Sequence, residues 1–299
     1  MKFIAAICTF IGVLALPGCN REPNVFSDLA SRQLHRRHVP LEGQSNTRDL
    51  GGYRTEDGRR VKWGEIFRTG HLGHLSDSDV EMLDALEISS VVSFLTAEEI
   101  EERGPDRLPE SVKELPKPIV GGILGQITED VSEARRTGDF SKVPVELNPE
   151  IHRALMRGAK EQYAALLRDL IDPSNRPLIF HCSHGIHRTG TATAVLLSAL
   201  GVPWETVRED YMLSNQYRKD EIEPRLGELK EQAAATFNVT VEEVDTENME
   251  AFYILKPEYI DAALAEAVEG YGSMETYIRD GLGITDEELA ELREELLLD

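Results

Sequence analysis

The sequence predicts an α/β fold, with short buried strands alternating with helices, a helical insertion ahead of the last strand and a helical C-terminal portion. Two observations carry that reading. Short apolar runs such as Pro177-Leu178-Ile179-Phe180 are followed by longer stretches with helical spacing, the pattern of strand then helix. The hydrophobic share, 41 % of 299 residues, is ample for the core of a single domain. Strands are expected around Ile66–Arg68, Ser90–Leu95, Val112–Leu115 and Leu178–His181. The first helix is expected at Ser78–Leu86. A second, Pro149–Leu170, sets Ile151, Leu155, Ala159, Leu166 and Leu170 on one face and Arg153, Arg157 and Lys160 on the other. Thr191–Leu200 reads as an apolar helix, and Pro203–Asn215, Asp220–Thr236, Pro257–Glu269, Met274–Asp280 and Asp286–Leu297 continue the helical portion. Thr285 with Glu288 forms a capping box that fixes where the last one starts.

The segment His181-Cys182-Ser183-His184-Gly185-Ile186-His187-Arg188-Thr189-Gly190 lies between the last predicted strand and an apolar helix. Backbone N–H groups at a helix start lack intrahelical partners, and the macrodipole adds about half a positive charge there. A phosphate dianion fits such a cradle. Arg188 supplies a planar fork for two phosphate oxygens. The same field favours a thiolate at Cys182, since a helix N-terminus and a cation lower a thiol pKa from about 8.5. Gly185 permits backbone that a Cβ would obstruct, and Thr189 offers a hydroxyl to the sulfur when it leaves. The chemistry implied is phosphoryl transfer to sulfur followed by hydrolysis.

This loop resembles the signature of the cysteine-dependent protein tyrosine phosphatases. Upstream, Asn46-Thr47-Arg48-Asp49-Leu50-Gly51-Gly52-Tyr53 resembles the NxRDLGGY motif of their bacterial branch. Phe67 to Leu72 with Leu75-Ser76, and Tyr271-Gly272-Ser273 through Gly281-Leu282-Gly283, are similar to two further segments of that branch. The resemblance covers about Leu41 to Leu297. It implies a tyrosine phosphatase-like fold, a central mixed sheet flanked by helices, with the insertion as a possible lid over the site and its basic residues either guiding phosphate or facing water. It also implies Cys182 as nucleophile and Arg188 as phosphate clamp, with Ser183, His184, Gly185, Ile186, His187 and Arg188 as the substrate loop and Thr189 and His181 assisting. Asp210-Tyr211-Met212-Leu213-Ser214-Asn215 is similar to the stretch that packs behind that loop in the family.

Two departures stand out. Many members of the branch have Lys-Asp where this chain has Ile186-His187, and Asp-Leu-Arg where it has Ser93-Phe94-Leu95. A leaving phenolate gains from a proton donor, worth typically 10²–10⁴ in rate. His187 is a candidate as an imidazolium, with Asp49 and Asp139 as carboxylic rivals. His181 is expected to brace the loop, and His184 to line its rim or face solvent.

The N-terminus is expected to be an export signal. Met1-Lys2 precedes about 14 mostly apolar residues, Phe3 to Leu16, too few for a spanning helix of about 20. Leu16-Pro17-Gly18-Cys19 resembles the lipobox of bacterial lipoproteins, which makes Cys19 the expected lipidation site. Residues 1–19 are then a signal peptide, 20–40 a tether and 41–299 the catalytic domain. The protein is expected in the bacterial cell envelope, lipid-anchored on the periplasmic side or cell surface, or otherwise periplasmic or secreted. Only Cys182 remains in the exported part, so no internal disulfide forms there. A net charge of −22 repels nucleic acid and anionic lipid, so contact with a membrane is expected only through the anchor.

No paired-histidine or CxxC spacing and no glycine-rich nucleotide pattern occurs, and neither metal nor organic cofactor is expected. The expected activity is phosphomonoester hydrolysis through a cysteinyl-phosphate, on a phosphorylated protein or small phosphomonoester, with phosphotyrosine first. Two alternatives stay open: a phosphate-binding scaffold without efficient turnover, and an inositol-phosphate or phosphoinositide phosphatase. Oligomeric state is not legible in the sequence.

Overall fold

The computed structural model describes residues 37–120 and 123–299, the side chains of 123–129 excepted. The expected export segment, Cys19 and the tether as far as residue 36 lie outside the described residues. The strands are β1 (Arg48–Asp49), β2 (Arg60–Val61), β3 (Ile66–Thr69), β4 (Ser90–Ser93), β5 (Lys113–Pro116), β6 (Leu178–His181) and β7 (Leu297–Leu298). Five of them form a mixed sheet in the order β1-β3-β6-β4-β5, antiparallel at β1 and parallel elsewhere. β6 is central and covered on both faces, which is why it is a continuous apolar run rather than an alternating one. Its Leu178 and Phe180 enter the larger core, while Ile179 enters a smaller one with Phe67, Leu72, Leu83 and Val91. The pairs Thr69↔His181 and Ser93↔His181 bring the C-terminal ends of β3, β4 and β6 level. Their shared edge is where a doubly covered sheet offers a crevice.

The helices are α1 (Asp77–Ala85), α2 (Ala97–Arg103), α3 (Ile123–Thr137), α4 (Leu147–Gly158), α5 (Lys160–Ile171), α6 (His187–Ala199), α7 (Trp204–Tyr217), α8 (Lys219–Phe237), α9 (Glu247–Tyr253), α10 (Pro257–Tyr271) and α11 (Asp286–Leu296). Helix α6 is buried on nearly every side, as a helix apolar all round must be. It is surrounded by α4, α5, α7 and α10. The capping box of Thr285 and Glu288 starts α11 as expected. That helix runs into β7, which pairs with β2 and ties the C-terminus to the turn after the NTRDLGGY motif.

The structure changes several expectations. The single insertion helix is two helices that meet at Ala159, whose φ/ψ of −107°/22° leaves the helical region just after Gly158. The break lets both apolar faces reach the core, with Ile151 and Leu155 before it and Leu166 and Leu170 after it all buried. Nor do the basic residues of this insertion guide phosphate: Arg153 pairs with Glu269, Arg157 with Glu150 and Glu266, and the Lys160 ammonium donates to the Tyr271 hydroxyl. α4 is packed along α10 rather than free to act as a lid. The loop helix starts at His187, not Thr191, so Arg188 and Thr189 stand in its first turn. Met274–Asp280 is a helical turn, Met274–Thr276, followed by a π-helical segment, Tyr277–Gly281. Helices α2, α3 and α9 and the two-residue strands have no counterpart in the sequence reading.

Candidate active site

Between β6 and α6 the chain wraps Cys182 to Arg188 around the crevice. Gly185 sits at φ +68°, and a Cβ there would come within 2.6 Å of the Thr69 carbonyl oxygen, so both conformation and space demand glycine. Cys182 is 3 % exposed. Burial pushes its thiol pKa up, yet the Arg188 guanidinium, the Thr189 hydroxyl and the backbone N–H groups of Thr189 and His184 outweigh that and hold it below the ordinary value. The loop thus favours ionisation of the thiol within a ring of donors.

Arg188 is held by protein partners along one edge of its guanidinium. Its Nη1 donates to Glu99 Oε2 at 2.7 Å and to the Phe94 carbonyl at 2.9 Å, and its Nη2 to Glu99 Oε1 at 2.5 Å. Of five guanidinium N–H groups, the Nε–H has no partner among the described residues and the second on Nη2 makes only a long 3.5 Å contact with the Ser183 hydroxyl, so these two form the fork for phosphate. Glu99 also caps α2, accepting from the Thr96 amide. Burial alone would raise the Glu99 pKa, and Arg188 reverses that. The motif Thr96-Ala97-Glu98-Glu99 is legible as a capping box, but its second duty depends on where α2 lies.

Behind the loop stands a second ionic cluster. Arg48 Nε donates to Asp210 Oδ1 at 3.0 Å, and Arg68 Nη1 to Asp210 Oδ2 at 2.7 Å, with all three side chains wholly buried. Arg68 Nη2 reaches the Gly185 carbonyl at 2.8 Å, and Asn46 Nδ2 the carbonyls of His184 and Gly185. Asn46 Oδ1 in turn accepts from Arg48. The NTRD and DYMLSN segments are therefore one clamp on the back of the loop, with Ser214 also accepting from Arg48. The two arginines hold the Asp210 carboxyl well below the usual range despite its burial.

A third support joins His181, expected to brace the loop, to Asp106, which the sequence did not single out. His181, fully buried, places Nε2 2.8 Å from Asp106 Oδ2 and Nδ1 3.3 Å from the Cys182 carbonyl. The hydrogen on Nε2 is poorly aligned, so the first is a close polar contact more than a linear hydrogen bond. Asp106 also accepts from the Leu72 amide, and the His71 amide donates to the Ser183 carbonyl. Burial raises the Asp106 pKa, but contact with His181 and the Leu72 amide brings it below the ordinary value.

The proton-donor candidates fare differently from expectation. Asp49 points to the face opposite Arg48, as alternation in a strand requires. Its oxygens accept from the amides of Gly51 and Gly64, each at 2.7 Å. Burial lifts its pKa to about 6, but its role is to pin the turn between β1 and β3, away from the loop. Asp139 caps its own turn, accepting from the Ser141 amide, and the Ser141 hydroxyl together with that amide lowers its pKa, which is the wrong direction for a proton donor. His187 directs Nε2 at Asn148 Oδ1, 2.6 Å away, and Asn148 is fixed by donating to the Ala251 and Phe252 carbonyls. Burial, with Arg188, Arg218 and Arg135 nearby, pulls the His187 pKa down to about 3. The expected imidazolium is thus a neutral ring whose N–H is committed to Asn148. His184, half-exposed on the rim, contacts the Ser183 hydroxyl through Nδ1 at 3.1 Å, and burial and nearby arginines push its pKa well down. Thr189 places its hydroxyl where it favours the Cys182 thiolate, with no oxygen or nitrogen partner among the described residues.

Sequence comparison agrees with this geometry. Residues 39–298 match the model of the tyrosine phosphatase family. The chain belongs to that family. A protein named as a tyrosine-protein phosphatase in Cupriavidus necator is 27 % identical over 270 residues, covering 88 % of this chain and 90 % of its own length. The triple specificity protein phosphatase PtpB of Mycobacterium tuberculosis is 26 % identical over 288 residues, 86 % of this chain and 98 % of the relative. Among solved structures, Pseudomonas aeruginosa TpbA aligns over 60 % of this chain and 91 % of its own, at 16 % identity and a TM-score of 0.31. As a tyrosine phosphatase family member, the chain keeps its cysteine and arginine in a loop braced from three sides.

Proposed function

We propose that this protein is a cysteine-dependent protein tyrosine phosphatase whose range extends to other phosphomonoesters. The observation that carries the reading is a thiol held below its ordinary pKa beside an arginine already oriented by Glu99. The arginine would serve binding as well, but binding alone does not need the thiol. In the first step Cys182 sulfur bonds to phosphorus as the ester P–O bond breaks, and the departing phenolate takes its proton from solvent water. In the second, water attacks phosphorus, the P–S bond breaks and the Thr189 hydroxyl receives the returning thiolate. Arg188 and the loop amides hold the equatorial oxygens throughout. The breadth of range rests on the name of the mycobacterial relative, a triple specificity phosphatase.

We further propose export and lipidation at Cys19, supported by the Phe3–Leu16 run and the Leu-Pro-Gly-Cys sequence. Loss of palmitate-analogue labelling in Cys19→Ala tests it; labelling that survives the substitution refutes it. For the activity, p-nitrophenyl phosphate hydrolysis by the full chain is expected to persist in excess chelator and to vanish in Cys182→Ser. Phosphate or vanadate binding with no turnover above that of the serine variant would instead favour a binding module.

A further inference from the structure

Acid outnumbers base in this chain, 54 to 32, and the buried arginines away from the mouth of the loop all hold carboxylates. Arg48 and Arg68 share Asp210, and Arg176 pairs with Glu65. Three arginines around the loop break that pattern. Among the described residues Arg103 and Arg135, both half-buried, form no ion pair; the Nε of each is buried without a hydrogen-bond partner, as it is in Arg68 and Arg176, but here no carboxylate meets the rest of the guanidinium. Arg218 is 7 % exposed, makes no side-chain hydrogen bond among the described residues, and meets only the half-exposed Glu221 at 3.6 Å. Glu221 itself accepts from the Ser45 hydroxyl. Arginine donors left without a protein partner beside a phosphate-binding loop are open to an anion, which Arg recognises through paired, charge-assisted hydrogen bonds.

The three come from separate elements and converge. Arg103 ends α2, four residues after Glu99 and hence on the face that already holds Arg188. Arg135 lies in the last turn of α3, its guanidinium 5.3 Å over the Phe252 ring, and its carbonyl is fixed by Arg225 of α8. Arg218 joins α7 to α8. Arg135 packs over Phe252, whose carbonyl accepts from the Asn148 that holds His187 of the loop. Arg218 ends α7, whose Asp210 and Ser214 hold Arg48 behind the loop. All three charges bear on His184 at its rim. This chain has Ile186 rather than a cation inside the loop and Leu95 rather than one after β4, so positive charge has been placed at the rim instead.

We propose that Arg103, Arg135 and Arg218 form an anion subsite beside the phosphate loop, which takes a second anionic group of the substrate. Resting on the phosphatase reading above, it makes the preferred substrate a peptide segment with a carboxylate or second phosphate close to its phosphotyrosine. A peptide is favoured over a lipid surface because the rest of the acidic protein repels anionic membranes.

The test uses three phosphotyrosine peptides that differ only at the flanking residues: neutral, glutamate, or a second phosphotyrosine. With the full chain, kcat/KM is expected to rise about tenfold or more for the anionic peptides, mainly through KM, as one charge-assisted contact implies. In Arg103→Gln/Arg135→Gln that preference is expected to fall to about twofold or less, whereas Arg153→Gln on the outer face should keep it. Arg218→Gln is measured beside them, the half-buried pair serving where loss of the buried arginine prevents folding. Calorimetric binding of the same peptides to Cys182→Ser reads the subsite without turnover, so a failure of the enzyme reading and a failure of the subsite are told apart. Equal affinity for neutral and anionic peptides overturns the proposal. So does a preference that survives the double substitution, or soluble inositol polyphosphates outcompeting the peptides with the same arginine dependence.

Discussion

Two arginine–carboxylate contacts hold the same loop, one from behind and one from the front, and they differ in what surrounds them. The rear contact, Asp210 with Arg48 and Arg68, is sealed at 0 % side-chain exposure. The front contact, Arg188 with Glu99, keeps 11 % and 26 %. At the rear every partner is protein: Asn46, Ser214 and the Tyr53 hydroxyl complete the set. At the front one guanidinium N–H is without a protein partner among the described residues and a second is held only by a 3.5 Å contact with the Ser183 hydroxyl, which a ligand can displace. A buried ion pair is weak evidence for stability by itself, because desolvation offsets attraction, but removing one partner leaves a charge stranded. The rear cluster therefore fixes where the loop lies, and the front pair fixes which way its arginine faces.

The rear is where substitution should do most damage. Asp210→Asn leaves two buried guanidinium groups without a counter-charge, and a loss of about 3–5 kcal/mol in denaturant unfolding is expected. Its pH signature has a definite sign. Asp210 is held below the usual carboxylate range in the fold, so its contribution is full above the unfolded value of about 3.9 and drains away as pH falls below that. Glu99→Gln removes the equivalent charge at the front, where solvent reaches the pair, and stability should change by about 1 kcal/mol or less. A comparable loss of stability in both variants would abolish the distinction between the two regions.

Activity should reverse the ranking. Arg188→Lys keeps the charge but loses the planar fork, and kcat/KM for p-nitrophenyl phosphate is expected to drop by roughly 10²–10³ with the fold intact. Glu99→Gln should cost about tenfold, since the arginine stays but loses its charged orienting partner. A Glu99→Gln enzyme with wild-type kcat/KM would mean that the loop positions Arg188 unaided.

The comparison also explains what was legible in the sequence. The loop and its strand were readable because their requirements are local: a buried run, a glycine at positive φ, and a cysteine and arginine at fixed spacing. NTRDLGGY and DYMLSN were readable as segments, but that Arg48 and Asp210 close on each other across 162 positions is a property of the sheet order. Glu99 carried a local signal as a helix cap, whereas Asp106 carried none, being a loop aspartate until the fold brings it under His181. The insertion was read as one helix because its apolar spacing continues through Ala159, and periodicity alone does not register a change of axis. The proton-donor candidates were misjudged for a related reason. Sequence shows which groups titrate, not which hydrogen bonds already occupy them.

Asp49 offers the finest test of that last point, because its shift is large and its position is structural. Its pKa rises from 3.8 to about 6 through burial, and the two glycine amides only partly offset this. Between about pH 4 and 6 the folded protein then binds a proton that the unfolded chain has lost, so stability falls as pH rises through that window. A shift of this size corresponds to about 3 kcal/mol. Unfolding measured from pH 4 to 7 should show that downward slope in the wild type and a flattened one in Asp49→Asn. The asparagine presents one oxygen in place of two, so it strains either the Gly51 or the Gly64 contact and gains little at pH 7. Its kcat against pH is expected to keep the wild-type shape within about threefold, as removal of a turn-forming group away from the nucleophile implies. A selective collapse for substrates with poor leaving groups would instead return Asp49 to the chemistry and put the placement of β1 in question.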